Sequence, residues 1–73
     1  MTGAEYLAVL DRFDLTHIEA AAFLGVNEKT SRRWGLDEHA IPASVEMLLL
    51  VMVSYGFTPE SVTALVLEKR QAA

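Results

Sequence analysis

The stretch from Thr16 to Trp34 constrains the fold more than any other part of the chain. It runs Thr-His-Ile-Glu-Ala-Ala-Ala-Phe-Leu-Gly-Val-Asn-Glu-Lys-Thr-Ser-Arg-Arg-Trp and reads as two short helices joined by a tight turn at Leu24-Gly25-Val26. A sharp crossing of this kind needs small side chains, so that one helix can approach the other at close range. The three consecutive alanines Ala20, Ala21 and Ala22 supply them. Gly25 supplies the turn, because a left-handed residue costs glycine nothing and any other residue about 1 kcal/mol or more. The second helix carries Lys29, Arg32 and Arg33, half of the six cationic side chains in the protein.

Local start and stop signals divide the remainder. Thr2, with Glu5 three residues later, fits a capping box in which each side chain satisfies the other's backbone N–H. Tyr6, Leu7 and Leu10 then form an apolar face, with Val9 and Phe13 on its flanks, and Asp14 breaks the helix. Thr16 and Glu19 repeat the capping box at the start of helix two, whose Ile18, Ala21, Ala22 and Leu24 are expected to face inward. Asn27 is a favoured N-cap for helix three, which is expected to end near Trp34 with Gly35 as its stop. Pro42 suits the first turn of helix four, which runs to about Tyr55 and stops at Gly56. Thr58-Pro59-Glu60-Ser61 starts helix five, where Val62, Leu65 and Val66 precede a polar tail, Glu68-Lys69-Arg70. No stretch sustains period-two alternation, and there is no repeat or low-complexity segment. The expectation is an all-α, compact five-helix bundle in a single domain covering residues 1–73.

A chain of 73 residues buries only about 60–65% of its unfolded surface, so its stability is marginal unless it oligomerises. An apolar content of 52% exceeds what a small monomer needs, which argues against disorder and for a buried partner surface. The absence of cysteine excludes disulfides and thiolate metal sites. His17 and His39 are the only histidines and lie in different segments, so no metal or other cofactor is expected. The longest apolar run, Met47 to Val53, falls far short of the roughly 20 residues that span a bilayer. The start Met-Thr-Gly-Ala-Glu lacks the basic region of a signal peptide. A cytoplasmic protein that does not enter membranes is expected. The net charge of −4 runs against the basic balance usual in nucleic-acid binders. Phosphate contact depends on the local field, however, because screening limits its reach to about 8–10 Å. Residues 29–33 hold three cations and no acid, a balance that reads as a weak non-specific binder with one basic edge.

Ala21 and Gly25 are four residues apart, and Gly25 and Trp34 nine. With Leu24, Val26 and Trp34 as apolar locks, these spacings suit a helix that braces a second one against the DNA major groove. At these residues the chain resembles the phage-repressor helix-turn-helix family (the Cro/XRE type). The resembling block runs from Leu15 to about Tyr55. Its most specific part is Gly-Val-Asn-x-x-Thr-x-x-x-Trp at Gly25–Trp34, and Ile-Pro-x-x-Val-Glu-x-Leu-Leu also looks like the family's fourth-helix start. The resemblance implies a five-helix domain, usually dimeric, that binds operator DNA and represses transcription. Two departures stand out. Ser31 lies where the family usually has a branched apolar residue, so either the helix packs less tightly or Ser31 bonds back to a carbonyl of its own helix. Helix four carries Met47, Leu50 and Val53 where the family generally has polar residues.

Position along the second helix assigns Asn27 and Thr30 to phosphate or backbone contacts, and Glu28, Lys29 and Arg33 to base reading. Arg33 can pair bidentately with guanine; Glu28 either accepts from cytosine N4 or repels phosphate and sharpens specificity. Arg32 points to phosphate or to solvent. The three cations could also be a plain solvated face. His17 stands where the family often has a polar residue against the phosphate backbone; the alternative is a surface histidine without a role. Trp34 is read as core in preference to a stacking platform.

Seven apolar residues in succession, Met47 to Val53, cover every side of helix four, whereas a one-faced helix needs about half its circumference apolar. Val45, Leu48, Leu49 and Met52 are assigned to the core. Met47, Leu50, Val53 and Ser54 are assigned to a homodimer interface; the alternative is a central helix covered by helices one and five. Enzyme activity is not expected, since no histidine has a serine and an acid partner in one motif and there is no Gly-rich phosphate loop. The favoured function is sequence-specific transcriptional repression by a homodimer on a palindromic operator. The alternative is a protein-interaction module, antitoxin-like or adaptor, with DNA binding secondary or absent.

Overall fold

The computed structural model describes residues 1–72. Among them are five helices and no strand: α1 Gly3–Arg12, α2 His17–Leu24, α3 Glu28–Gly35, α4 Ala43–Tyr55 and α5 Pro59–Ala72. Each of the first three is defined by its cap. The Thr2 hydroxyl accepts from the Glu5 N–H at 3.1 Å while a Glu5 carboxylate oxygen accepts from the Thr2 N–H at 2.8 Å. Thr16 and Glu19 repeat the arrangement at 3.1 and 3.0 Å. The Asn27 side-chain oxygen accepts from the Thr30 N–H at 2.9 Å. Pro42 sits just before α4 as its cap, and Thr58 and Ser61 exchange hydrogen bonds at the start of α5, a serine doing what glutamate does in α1 and α2.

α1 ends at Phe13, with Asp14 in the left-handed region at φ 55°. α2 ends at Gly25, φ 73°, and the Val26 N–H returns to the Ala21 carbonyl at 3.0 Å. That turn sets α3 across α2. α3 also meets α1 at short range, where the two backbones nearly touch. A Cβ on Gly3 would lie 2.6 Å from the Gly35 carbonyl oxygen, and the Gly3 N–H donates to an Asp37 carboxylate oxygen at 2.7 Å.

Tyr6, Leu10, Ala20, Trp34, Leu49 and Met52 form the buried core, with Phe13, Leu24, Val26 and Val45 packed around it. Tyr6 and Trp34 meet edge to face, centroids 5.6 Å apart at 89°, a geometry that adds about 0.5–1.5 kcal/mol to area burial.

Several sequence expectations need correcting. α2 turns Ala20 and Ala21 inward, and leaves Ile18 and Ala22 exposed. An inward row at His17, Ala20, Ala21 and Leu24 has the i, i+3, i+4, i+7 spacing of one helix face, and Ile18 stands one residue out of phase with it. Leu7 and Leu48 are exposed too; Leu7 lies over Gly35, outside the core. Gly35 does not stop α3, which runs through it to a cap at Leu36; the left-handed residue is Asp37, φ 58°. What Gly35 provides is absence of bulk, since a Cβ there would be 2.9 Å from a Leu7 methyl. The tail Glu68-Lys69-Arg70 is helical, inside α5. No single helix among the described residues is long and apolar enough to cross a membrane.

Candidate nucleic-acid interface

α3 has two opposed faces. Ser31 and Trp34, three residues apart, are 0% and 3% exposed, and they fix the inward side. At 3.6 residues per turn, Lys29, Arg32 and Arg33 project to the other side, and all three are exposed. Asn27 is exposed at the start of the helix, and Glu28 and Thr30 are half-buried at its edges. Of the seven DNA-contact residues expected from sequence, Lys29, Arg32 and Arg33 share one exposed face of α3, Glu28 and Thr30 lie at its two edges and Asn27 is its N-cap. The seventh, His17, starts the adjoining helix α2.

The charges on this face are not equivalent. Arg32 donates to a Glu28 carboxylate oxygen at 3.3 Å, one turn apart in the helix. The pair is open to solvent, and such an i, i+4 pair contributes only about 0.3–0.5 kcal/mol. It does, however, compromise the reading of Glu28 as a base reader, since its carboxylate lies along the helix toward Arg32. Lys29 and Arg33 have no carboxylate partner among the described residues. They supply the unopposed positive field of the face. The Thr30 hydroxyl donates to the Asn27 side-chain oxygen at 3.0 Å, the same oxygen that accepts from the Thr30 N–H. The Asn27 amide group is left as the outward donor of that pair.

His17 and Ser31 depart most from expectation. Ser31 bonds to no carbonyl of its own helix through its side chain. Its Oγ lies 2.7 Å from the Tyr6 hydroxyl and 2.7 Å from His17 Nδ1. Tyr6 is fully buried, and burial pushes its phenol above the ordinary value, with the Ser31 hydrogen bond acting in the opposite direction. The polar trio joins α1, α2 and α3 where looser packing or a bond within α3 was expected. The sequence signal was a tyrosine and a serine both at inward positions, since a buried phenol usually takes a hydrogen-bond partner.

His17 and Ser31 are thus in contact, without the acid partner that a catalytic triad also requires. Ser31 is fully buried between Tyr6 and His17, and among the described residues no carboxylate bonds His17. Among the described residues no cluster of three metal-ligating side chains occurs.

Of the residues assigned to a dimer surface, Met47, Leu50 and Ser54 are exposed on the side of α4 opposite Leu49 and Met52, and Val53 is half-buried. Val51 lies with them, exposed. No family model, curated protein or solved structure matches the chain.

Proposed function

We propose that the chain is a sequence-specific DNA-binding regulator in which α2, the Gly25 turn and α3 act as a helix-turn-helix of the phage-repressor type. The observation that carries this reading is the gathering of Lys29, Arg32 and Arg33 on the one face of α3 that Ser31 and Trp34 leave exposed. α3 lies in the major groove, with Arg33 and Lys29 at base edges and Arg32 and Asn27 at the phosphate backbone. A two-fold dimer through Met47, Leu50 and their neighbours on α4 sets two such helices about 34 Å apart, matching successive major grooves and a palindromic operator. Occlusion of a promoter by the bound dimer represses transcription.

Selection of bound sequences from a random DNA pool tests binding, half-site and spacing together. Within a selected site, Arg33→Ala weakens specific affinity by about 1–3 kcal/mol and relaxes preference at one base pair. A Lys29, Arg32 and Arg33 triple alanine variant that binds as tightly as the wild type in gel shifts would overturn the assignment.

A second reading is favoured by the apolar side chains exposed on α4 and α5, Met47 at 66% and Leu65 at 53%. On that reading the chain is a protein-interaction module. Salt separates the two. Binding through several phosphate contacts weakens steeply as salt rises, whereas an apolar protein contact barely changes.

A further inference from the structure

We propose that Tyr6, Ser31 and His17 form an ordered hydrogen-bond relay that fixes the neutral His17 ring as its Nε2–H tautomer, presenting one uncharged donor to a DNA phosphate oxygen. The phosphate half rests on the DNA-binding reading; the tautomer half does not. The relay follows from counting protons. A serine hydroxyl has one hydrogen and can accept as well, and a neutral imidazole has one nitrogen that donates and one that accepts. Ser31 Oγ has two partners, the Tyr6 hydroxyl and His17 Nδ1, each at 2.7 Å. The Tyr6 hydroxyl has no other partner among the described residues, and neither Tyr6 nor Ser31 is reached by solvent.

Were Ser31 to donate to Tyr6, the phenol hydrogen would be stranded in a dry site. Were Ser31 to accept from both neighbours, its own hydrogen would be stranded in the same way. Leaving a buried donor unsatisfied costs more than a made hydrogen bond contributes. One order strands nothing: Tyr6 O–H donates to Ser31 Oγ, and Ser31 O–H donates to His17 Nδ1. Nδ1 then carries no hydrogen, and the ring hydrogen is on Nε2. The raised titration range of the buried phenol keeps Tyr6 in its donor form.

The other end of the relay is open. His17 Nε2 has no partner among the described residues and is not among their buried unsatisfied atoms, so solvent reaches it. His17 lines a recess of about 150 Å³ beside Arg32, Gly35 and Leu36, at the edge of the basic face. A phosphate oxygen seated there meets a neutral N–H from His17 and a cation from Arg32. Tyr6 and Ser31 are positioning residues: they touch no DNA, and they act through the ring they orient.

The test uses the full chain, labelled with ¹⁵N. Long-range ¹H–¹⁵N spectra at about pH 8, above the ordinary histidine range near 6.5, report both ring nitrogens. His17 is expected to show an unprotonated Nδ1 and a protonated Nε2 with no averaging, while exposed His39 shows the averaged shifts of a free ring. Ser31→Ala moves His17 toward the His39 pattern. A wild-type His17 that matches His39, or that carries its hydrogen on Nδ1, overturns the relay, and this measurement stands even where the variant fails to fold.

Gel shifts on a selected site, across a salt series, decide the phosphate half. His17→Ala is expected to weaken binding by about 3–10-fold with the salt slope unchanged, because a neutral donor releases no counterion. His17→Gln, which keeps an N–H donor, restores most of the loss. Unchanged affinity in His17→Ala, or a slope shallower by about one unit, overturns the neutral contact. A wild-type chain that binds no DNA removes the phosphate half along with the function proposed above, and leaves the tautomer to the spectra.

Discussion

Residues 3–35 and residues 43–72 are comparable lengths of helix with opposite relations to water. In the first region the inward side chains are few and individually fixed. Tyr6 meets Trp34 edge to face, Ser31 bridges two helices, and Gly3 lies against the Gly35 carbonyl. Its outward side is largely polar. In the second region Leu49, Met52 and Pro59 alone are buried among residues 43–71, while Met47, Leu50, Val51, Leu65, Val66 and Leu67 stand exposed. A cleft of about 560 Å³ opens between α2 and α5, walled by Phe23, Ala22 and Leu67. The difference shows two ways of using apolar residues. Where polar and apolar positions alternate with helical phase, as in α3, the sequence itself selects the inward face. Where nearly every position is apolar, as in α4, neighbours select it, and the surplus remains exposed.

The sharpest break of this contrast is a pair of truncations. Trp34→Ala is expected to cost about 3–5 kcal/mol, enough to unfold a domain this small, whereas Leu65→Ala stays within about 0.5 kcal/mol. Circular dichroism melts measure both, and similar losses would mean that α5 belongs to the same cooperative core as α3. Next comes Gly3→Ala, which drives a methyl into a backbone carbonyl that cannot rotate away. A loss of about 1–3 kcal/mol is expected, lowering the melting temperature by roughly 4–8 °C per kcal/mol. Gly56 has open space around its Cβ position and only its φ of 75° to defend, so Gly56→Ala costs about 1–2 kcal/mol. The reverse ranking would place the tight contact elsewhere.

Leu50→Glu sharpens the comparison on its other side. Leu50 is 49% exposed, so the folded monomer tolerates the charge, but a two-fold seam sets it against its own mate. Sedimentation equilibrium is expected to show a dimer for the wild type at tens of micromolar and a monomer for the variant, both with native circular dichroism. A wild type that is monomeric under those conditions removes the α4 dimer. If instead Leu50→Glu unfolds the chain, the core extends to the outer face of α4.

The smallest effect concerns pH. Hydrogen bonds from the Thr16 backbone and side chain hold the Glu19 carboxyl below its ordinary value. Its contribution is therefore complete above the ordinary value of 4.5 and is lost as pH falls through the lowered one. Glutamine still accepts from the Thr16 N–H, so Glu19→Gln should flatten the acid limb of the stability profile slightly while leaving neutral stability nearly unchanged. An acid limb identical to that of the wild type would assign the loss to other carboxyls.

Features spanning three or four residues were legible in the sequence: the caps at Thr2, Thr16 and Asn27, the left-handed glycines 25 and 56, and the outward face of Lys29, Arg32 and Arg33. Each is decided by backbone geometry within one turn. The inward phase of α2 was not, because an eight-residue helix with three alanines has nearly the same polarity on every side. Nor were the Gly3–Gly35 contact and the Tyr6–Ser31–His17 trio, which join residues from different helices. Ser31 was visible as a departure from the expected apolar residue; its partners depended on how α1 and α2 meet around it.

Ser31 also limits how this protein can diverge. A branched apolar residue at that site, introduced alone, leaves the Tyr6 hydroxyl buried without a partner, at a cost of about 1–3 kcal/mol. After Tyr6→Phe the same change strands no phenol hydrogen. The two substitutions are thus ordered: descendants reach an all-apolar junction through Phe at position 6 first. Position 31 keeps a hydrogen-bonding side chain for as long as Tyr6 remains.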